Sequence, residues 1–247
     1  MKAMILAAGK GTRMLPLTEK MPKALIEIQG VPLIAHTILY LKYYGITDII
    51  INVHHHASQI IDFIRNNKSF GLNIEFSDES DLLLDTGGGL YKARHFFNPD
   101  EPFVLTSSDV ITDLNLKNMV DAHNLKNPLA TLAVKYRKSS RDFLFDEDYG
   151  LCGWHNNVTG ESRTIKEVKD PVKIAFSTIH IINPELFDLT IERGRFSIID
   201  LYLRLALNHY ITGYEHNESA WFECGRFENL EQLNKMKEIG AIYKIYH

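Results

Sequence analysis

Four short runs rich in Ile, Val, Leu and Phe, at residues 3–6, 49–53, 73–76 and 103–106, alternate with segments whose apolar residues recur at helical spacing. Continuous apolar runs of this length suit strands buried on both faces, because a strand with one wet face would alternate apolar with polar residues. The helical segments lie at 32–44, where Ile34, Ile38 and Leu41 share a face and Gly45 is a stop; at 58–66, around Ile60, Ile61 and Ile64; and at 90–97, after a glycine run. The resulting order is βαβαβαβ. Parallel strands need crossover connections, so this order predicts an α/β fold, a twisted and mostly parallel sheet with helices on both faces. Ligands are then expected beyond the carboxyl ends of the strands.

The second half changes character. Residues 130–135, 150–155, 163–167 and 175–182 are β-like and are joined by polar turns such as Asn156-Asn157 and Thr159-Gly160, which predicts an antiparallel insertion serving as a lid or substrate-binding subdomain. Ser197 is placed to cap a helix carrying Ile198, Ile199, Leu201, Tyr202 and Leu205, and a strand-like stretch at 221–224 precedes a helix over 227–239. No linker of low complexity interrupts the 247 residues, so a single domain is expected.

Charge narrows the partners. With 27 basic and 31 acidic residues the net charge is −4, which leaves no chain-wide positive field for nucleic acid or an anionic membrane. The average hides an asymmetry: residues 1–23 hold Lys2, Lys10, Arg13, Lys20 and Lys23 against Glu19 alone. A short basic segment in an otherwise acidic protein suits a small anionic ligand. The opening apolar run is too short for a signal-peptide core, and Cys152 and Cys224 are too few for a disulfide scaffold or a zinc site. A cytoplasmic protein is the expectation. His54-His55-His56 is read as a surface or helix-entry feature, since consecutive side chains do not converge on one ion.

The strongest local signal follows the first strand, in Leu6-Ala7-Ala8-Gly9-Lys10-Gly11-Thr12-Arg13-Met14. Small residues let backbone N–H groups approach an anion, and Lys10 and Arg13 add charge where phosphates would sit. Met14 occupies the third glycine position of a dinucleotide fingerprint, and no Gly-Lys-Ser/Thr ending is present, so neither common phosphate motif fits. The segment continues through Pro16, Leu17, Thr18, Pro22 and Lys23 to read G-x-G-T-R-M-x-P-L-T-x-x-x-P-K-x-L. In this it resembles the sugar-1-phosphate nucleotidyltransferases, the nucleotide-diphospho-sugar pyrophosphorylases, and most closely their short bacterial members.

Further segments carry the resemblance across nearly the whole chain. Asp85-Thr86-Gly87-Gly88-Gly89-Leu90 resembles the family's E-T-G-G-G-I, Asp109 follows the fourth strand where the family has N-G-D, and Trp221-Phe222-Glu223-Cys224-Gly225 resembles W-x-D-x-G with Glu for Asp. Tyr149-Gly150-Leu151 is similar to Y-G-V, Glu167-Val168-Lys169-Asp170-Pro171 to E-K-P with one insertion, and Phe176-Ser177-Thr178-Ile179 to F-S/T-G-I with Thr for Gly.

The resemblance implies a Rossmann-like nucleotide-diphospho-sugar transferase fold, with a nucleotide-binding half at 1–112 and a half at 113–247 for the sugar and second metal ligand. It implies that Arg13 and Lys23 are catalytic and that Leu6, Ala7, Ala8, Gly9, Gly11, Thr12, Asp85, Gly87, Gly88 and Gly89 bind the nucleotide. It further implies that Asp109 and Glu223 hold Mg²⁺, and that Gly150, Glu167, Lys169, Ser177 and Thr178 meet the sugar phosphate. The partners implied are a nucleoside triphosphate, UTP ahead of GTP or dTTP, and a sugar 1-phosphate. Two alternatives stay open: a non-catalytic sensor on the same fold, and a GT-A-type glycosyltransferase, whose D-x-D is missing at Asp109-Val110-Ile111.

Overall fold

A computed structural model of the chain describes residues 1–246; His247, the last residue of the expected domain, lies outside the described residues. The first half runs β1 (Ala3–Leu6), β2 (Glu27–Ile28), β3 (Val31–Pro32), α1 (Leu33–Tyr43), β4 (Asp48–Val53), α2 (Ala57–Asn66), β5 (Asn73–Asp78), α3 (Asp85–Lys92), β6 (Phe103–Ser107) and β7 (Val110–Thr112). The second half runs α4 (Leu116–Lys126), β8 (Ala130–Lys135), β9 (Arg141–Phe145), β10 (Leu151–Asn156), β11 (Ser162–Thr164), β12 (Val172–Ile182), α5 (Glu185–Leu189), α6 (Ile198–Leu205), β13 (Ile211–Glu215), β14 (Trp221–Glu223), α7 (Leu230–Lys235) and α8 (Lys237–Tyr246).

The four apolar runs form the parallel part of the sheet, in the order β6-β1-β4-β5. Successive side chains point to opposite faces, and both faces are covered. Met4, Ile50 and Leu105 pack with Leu90 of α3 and Leu201 and Leu205 of α6. Ile5, Ile49 and Ile51 pack with Ile34 and Ile38 of α1, Ile60 and Ile64 of α2, and Met119 of α4. A third cluster joins Met14, Ile26 and Leu33 to Ile111, Cys224 and Ile242, which fixes the N-terminal loop against β14 and the C-terminal helices.

The long strand β12 joins the two halves. Ile179–Ile182 pairs antiparallel with β6, while Val172–Ile174 pairs antiparallel with β9, from which β10 and β11 extend the sheet. Residues 175–178 pair with neither β6 nor β9, and a cleft opens there, lined by Phe176 and Thr178 with Ser107 of β6 and Phe143 of β9. The register of β12 against β8 also breaks between Phe176 and His180. Thr178 lies in the break at φ +59°, a conformation that favours glycine and is rare for a β-branched residue, at the position where the family resemblance has Gly. Its Oγ1 sits 3.0 Å from Ser107 Oγ.

Several boundaries differ from the sequence expectation. Helix α3 starts at Asp85 rather than 90, so the glycines lie inside it. A Cβ on Gly87 would come within 2.5 Å of the Phe196 ring, and one on Gly88 within 2.2 Å of Gly194 O. Close packing against segment 194–198 therefore outweighs the poor helix propensity of glycine. β11 is shorter than 163–167, and the helix expected over 227–239 breaks at Met236, with α8 continuing to Tyr246. β13 pairs parallel to β8, so the second half is not wholly antiparallel.

Three histidines of this half are buried, His123, His180 and His216, and the last two are pulled furthest below the ordinary value. His180 Nδ1 lies 2.8 Å from Tyr202 Oη, and His216 Nε2 lies 2.8 Å from Ser177 Oγ. Burial pulls His180 down to about 3; burial, then the nearby charges of Lys135 and Arg137, pull His216 down to about 4. Both stay neutral in the folded chain while their unfolded counterparts protonate below an ordinary value of 6.5, so stability is full above that value and falls as pH drops toward 4. Two protons taken up on unfolding correspond to a loss on the order of 2–3 kcal/mol per pH unit between about pH 5.5 and 4.5. Denaturant unfolding at a series of pH values checks this; a curve flat from pH 6.5 to 4.5 would contradict it.

Candidate active site

The loop after β1 turns back on itself. Gly11 sits at φ +64° with no room for a side chain, since a Cβ would be 2.8 Å from Thr18 Cγ2 and 3.0 Å from Lys23 Cβ. Thr18 Oγ1 donates to Gly11 O at 3.0 Å. This fold-back brings Arg13 and Lys23 to the same end of the cleft, although they stand ten positions apart in sequence.

Asp109 lies in the turn between β6 and β7, and β7 pairs antiparallel with β14 so that Val110 faces Glu223. The Cys224 N–H donates to Asp109 O at 2.8 Å. Two carboxylates more than a hundred residues apart in sequence thus reach one end of the cleft. Lys23 Nζ donates to Asp109 Oδ2 in a short ion pair, and Arg13 Nη2 meets Glu223 Oε1 at 3.1 Å. Gly225 lies beside the cluster: a Cβ there would sit 2.9 Å from Lys23 Nζ, 3.1 Å from Glu223 Oε1 and 3.3 Å from Arg13 Nη2.

Burial alone would push the Asp109 carboxyl up, but the Lys23 charge and hydrogen bonds from Lys23 and Ser107 outweigh it and hold the group below its usual value. The neighbouring Cys224 thiol is pushed up to about 12, by burial first and by Asp109 second, which keeps it a protonated packing group.

Among the sequence-derived nucleotide residues, Ala7 and Ala8 are buried, Leu6 and Gly11 half-buried, and Gly9 and Thr12 exposed. Asp85 opens α3 at φ +63°. The N–H groups of Gly87 and Gly88 both donate to Phe196 O, at 3.0 and 3.1 Å. A buried chain of hydrogen bonds joins the two loops: Ala7 N–H donates to Asn52 Oδ1 at 2.7 Å, Asn52 Nδ2 to Glu79 Oε1 at 2.7 Å, and Leu84 N–H to Glu79 Oε2 at 2.9 Å. Gly89 leaves room for this chain, since a Cβ would approach Glu79 Oε1 to 2.6 Å.

The sugar-half residues are dispersed. Thr178 lines the cleft of about 1480 Å³, whereas Ser177 is fully buried against His216. Gly150 ends the β9–β10 turn, its N–H donating to Asp146 Oδ1 at 2.7 Å. Glu167 and Lys169 are exposed beyond β11 and do not line the cleft. The structure brings in residues that sequence reasoning missed. Arg137 stacks over the Trp221 ring at 3.9 Å and donates to Phe176 O at 2.6 Å, and Asp142 accepts from Asn157 Nδ2 at 2.6 Å.

Comparison with known proteins identifies the family. The sequence model described as Nucleotidyl transferase matches residues 2–238. The chain belongs to the nucleotidyl transferase family. It is 32% identical to the N-acetylmuramate alpha-1-phosphate uridylyltransferase of Neisseria meningitidis, over 96% of this chain and 98% of that one. It is 35% identical to the UTP–glucose-1-phosphate uridylyltransferase of Synechocystis over 76% of this chain, and 30% identical to the mannose-1-phosphate guanyltransferase of Yarrowia lipolytica over 92%. The matches span 50% and 61% of those two longer relatives. The fold is shared with the inositol-1-phosphate CTP transferase of T. maritima, at a TM-score of 0.79 and 13% identity over 99% of this chain and 95% of that one. It is also shared with the UDP-glucose pyrophosphorylase of Acinetobacter baumanii, at 0.77 and 15% over 98% and 96%. No described helix is long and apolar enough to cross a membrane.

Proposed function

We propose that the chain joins a nucleoside triphosphate to a sugar 1-phosphate, giving an NDP-sugar and pyrophosphate. The observation that carries this reading is the alternating cluster of Lys23, Asp109, Arg13 and Glu223 at one end of the cleft. The sugar phosphate oxygen attacks the α-phosphorus in line with the departing pyrophosphate, so two anions must be held together against their repulsion. Arg13 is assigned to the leaving pyrophosphate and Lys23 to the α-phosphate. The nucleophile is already an anion and needs no general base.

Two carboxylates without a histidine or thiolate form the donor set of a hard, oxygen-seeking cation, and Asp109 and Glu223 would hold Mg²⁺. Bound there, Mg²⁺ would neutralise phosphate charge. In the free chain each carboxylate is engaged by a cation; substrate phosphates would take over Lys23 and Arg13 and release the carboxylates. The backbone around Ala7, Ala8 and Asp85 to Gly89 is assigned to the base. UTP is the favoured nucleotide, a reading supported by the uridylyltransferase that matches this chain over nearly its full length.

Pyrophosphate release from UTP, GTP and dTTP, each paired with several sugar 1-phosphates in the presence of Mg²⁺, tests the reading. Turnover with at least one pairing is expected, fastest with UTP. Tight nucleotide binding with no pyrophosphate from any pairing would replace the enzyme with a sensor.

A further inference from the structure

Strand β14, which carries Glu223, is tied to the rest of the molecule by little backbone. It has three residues, and its ladder partner among the described residues is β7, itself three residues long. Successive side chains alternate across a strand, so Phe222 turns toward the third apolar cluster while Trp221 and Glu223 share the opposite face. Whatever fixes the Trp221 ring therefore fixes the base from which Glu223 reaches the reacting end of the cleft.

Side chains from the end of β8 supply that fixing. Lys135 Nζ donates to Asn217 O and to Ser219 O, the latter at 2.8 Å, and Tyr136 N–H donates to Asn217 Oδ1 at 2.9 Å, which holds the approach to β14. Arg137 holds β14 itself: its guanidinium lies on the Trp221 ring at 3.9 Å and donates from Nη2 to Phe176 O at 2.6 Å, while Trp221 Nε1–H donates to Ser177 O at 3.0 Å. Both carbonyls stand in the stretch of β12 that pairs with neither β6 nor β9, where side-chain donors stand in for a ladder. Arg137 is half-buried, and burial lowers its pKa from the ordinary value while the charge of Glu223, then that of Asp142, works against the shift. The ion pair of Glu223 is made by Arg13 rather than Arg137, so Arg137 acts on that carboxylate at longer range and through the ring. A planar guanidinium can stack on an aromatic face and donate sideways at once, which an ammonium cannot.

We infer that Arg137 is a positioning residue for nucleotidyl transfer: stacked on Trp221 and anchored on Phe176 O, it sets the direction of Glu223 and stays in place when substrate phosphate draws Arg13 away. This inference rests on the nucleotidyl-transfer reading above, with Glu223 as a ligand to the divalent cation, and goes beyond it by assigning what orients that ligand.

Mn²⁺ binding, followed by electron spin resonance in the protein saturated with a non-hydrolysable nucleoside triphosphate analogue, reads the site without turnover. Groups that orient a metal ligand are worth about 10–100-fold in affinity, so Arg137→Ala is expected to weaken Mn²⁺ binding by about tenfold. Arg137→Lys keeps a cation on the ring but loses the planar fork, and a smaller loss in the same direction is expected. In a Glu223→Gln background, Arg137→Ala should weaken Mn²⁺ binding by less than about twofold more, because both changes act through one ligand. At saturating Mg²⁺ the loss should appear in kcat, with KM for the sugar 1-phosphate unchanged. Parental Mn²⁺ affinity in a folded Arg137→Ala chain, or an undiminished loss in the Glu223→Gln background, would overturn the positioning role. A rise in the sugar KM alone would overturn it too and make Arg137 a sugar contact. Thermal unfolding without ligand shows whether the variants are folded; should Arg137→Ala not fold, Arg137→Lys carries the comparison, with parental affinity again the overturning result. A Glu223→Gln chain that binds Mn²⁺ as the parent does would instead remove the reading on which the inference rests.

Discussion

Asp109→Asn is expected to lower pyrophosphate release by about a thousandfold while the protein stays folded. The amide is isosteric and keeps an oxygen that can accept from Lys23, but it lacks the charge that draws a divalent cation and balances the ammonium. Losing a metal's stabilisation of developing phosphate charge removes several kcal/mol from the transition state, which corresponds to factors of about 10² to 10⁴. The pair is largely but not fully buried, with 14% of Lys23 and 18% of Asp109 exposed. The uncompensated cation should therefore cost about 1–2 kcal/mol of stability, a drop of roughly 2–8 °C in Tm for a chain of this size. Turnover within tenfold of the parent at saturating Mg²⁺ would refute the assigned role. Thermal unfolding without ligand supplies the control, since lost activity in a chain melting tens of degrees lower would say nothing about catalysis.

The parallel half of the fold was legible because burial on both faces leaves a continuous apolar signature. The runs at 3–6, 49–53, 73–76 and 103–106 became β1, β4, β5 and β6 with at most two residues of extension at an end. The second half was less legible because β12 has different neighbours along its length, and nothing local in Val172–Ile182 says where β9 gives way to β6. The short Arg141–Phe145 strand, with only three apolar residues, and the parallel partner β13 were missed for the same reason: their pairing is set by tertiary context rather than by their own pattern.

The site divides similarly. Arg13, Lys23, Asp109 and Glu223 were found through long, ordered motifs, and they meet in space. The glycine run was assigned from the resemblance to the nucleotide base. Its visible role within the fold is close packing, of Gly87 and Gly88 against segment 194–198 and of Gly89 against Glu79 and Asn52. Arg137 and Asp142 have no motif of their own; they become visible only when the break between the β6 and β9 ladders opens the cleft beside them. One unused signal was Asn52, an amide inside the apolar run of β4, where a buried polar group implies a partner.

That partner gives the second large effect: Glu79→Ala is expected to destabilise the chain by about 3–5 kcal/mol and to weaken nucleotide binding as well. Glu79 is 1% exposed, and its two oxygens satisfy Asn52 Nδ2 and Leu84 N–H. Truncation strands both buried donors, each at about 1–3 kcal/mol, beside a new cavity. The orientation of Asn52 follows from the network itself, because Ala7 N–H can only donate and so fixes Oδ1 toward the loop after β1. Freed from Glu79, Asn52 no longer holds Ala7, and the loops after β1 and before α3 lose their common anchor. Glu79→Gln should fall between parent and Ala, since one oxygen remains while the new amide nitrogen faces a second donor. Asn52→Ala should raise KM for the nucleotide in the same direction, and the double variant should cost less than the sum of the singles because one chain of bonds is broken twice. Additive effects, or a Glu79→Ala variant with Tm within 2 °C of the parent and an unchanged nucleotide KM, would show that the two loops are positioned independently.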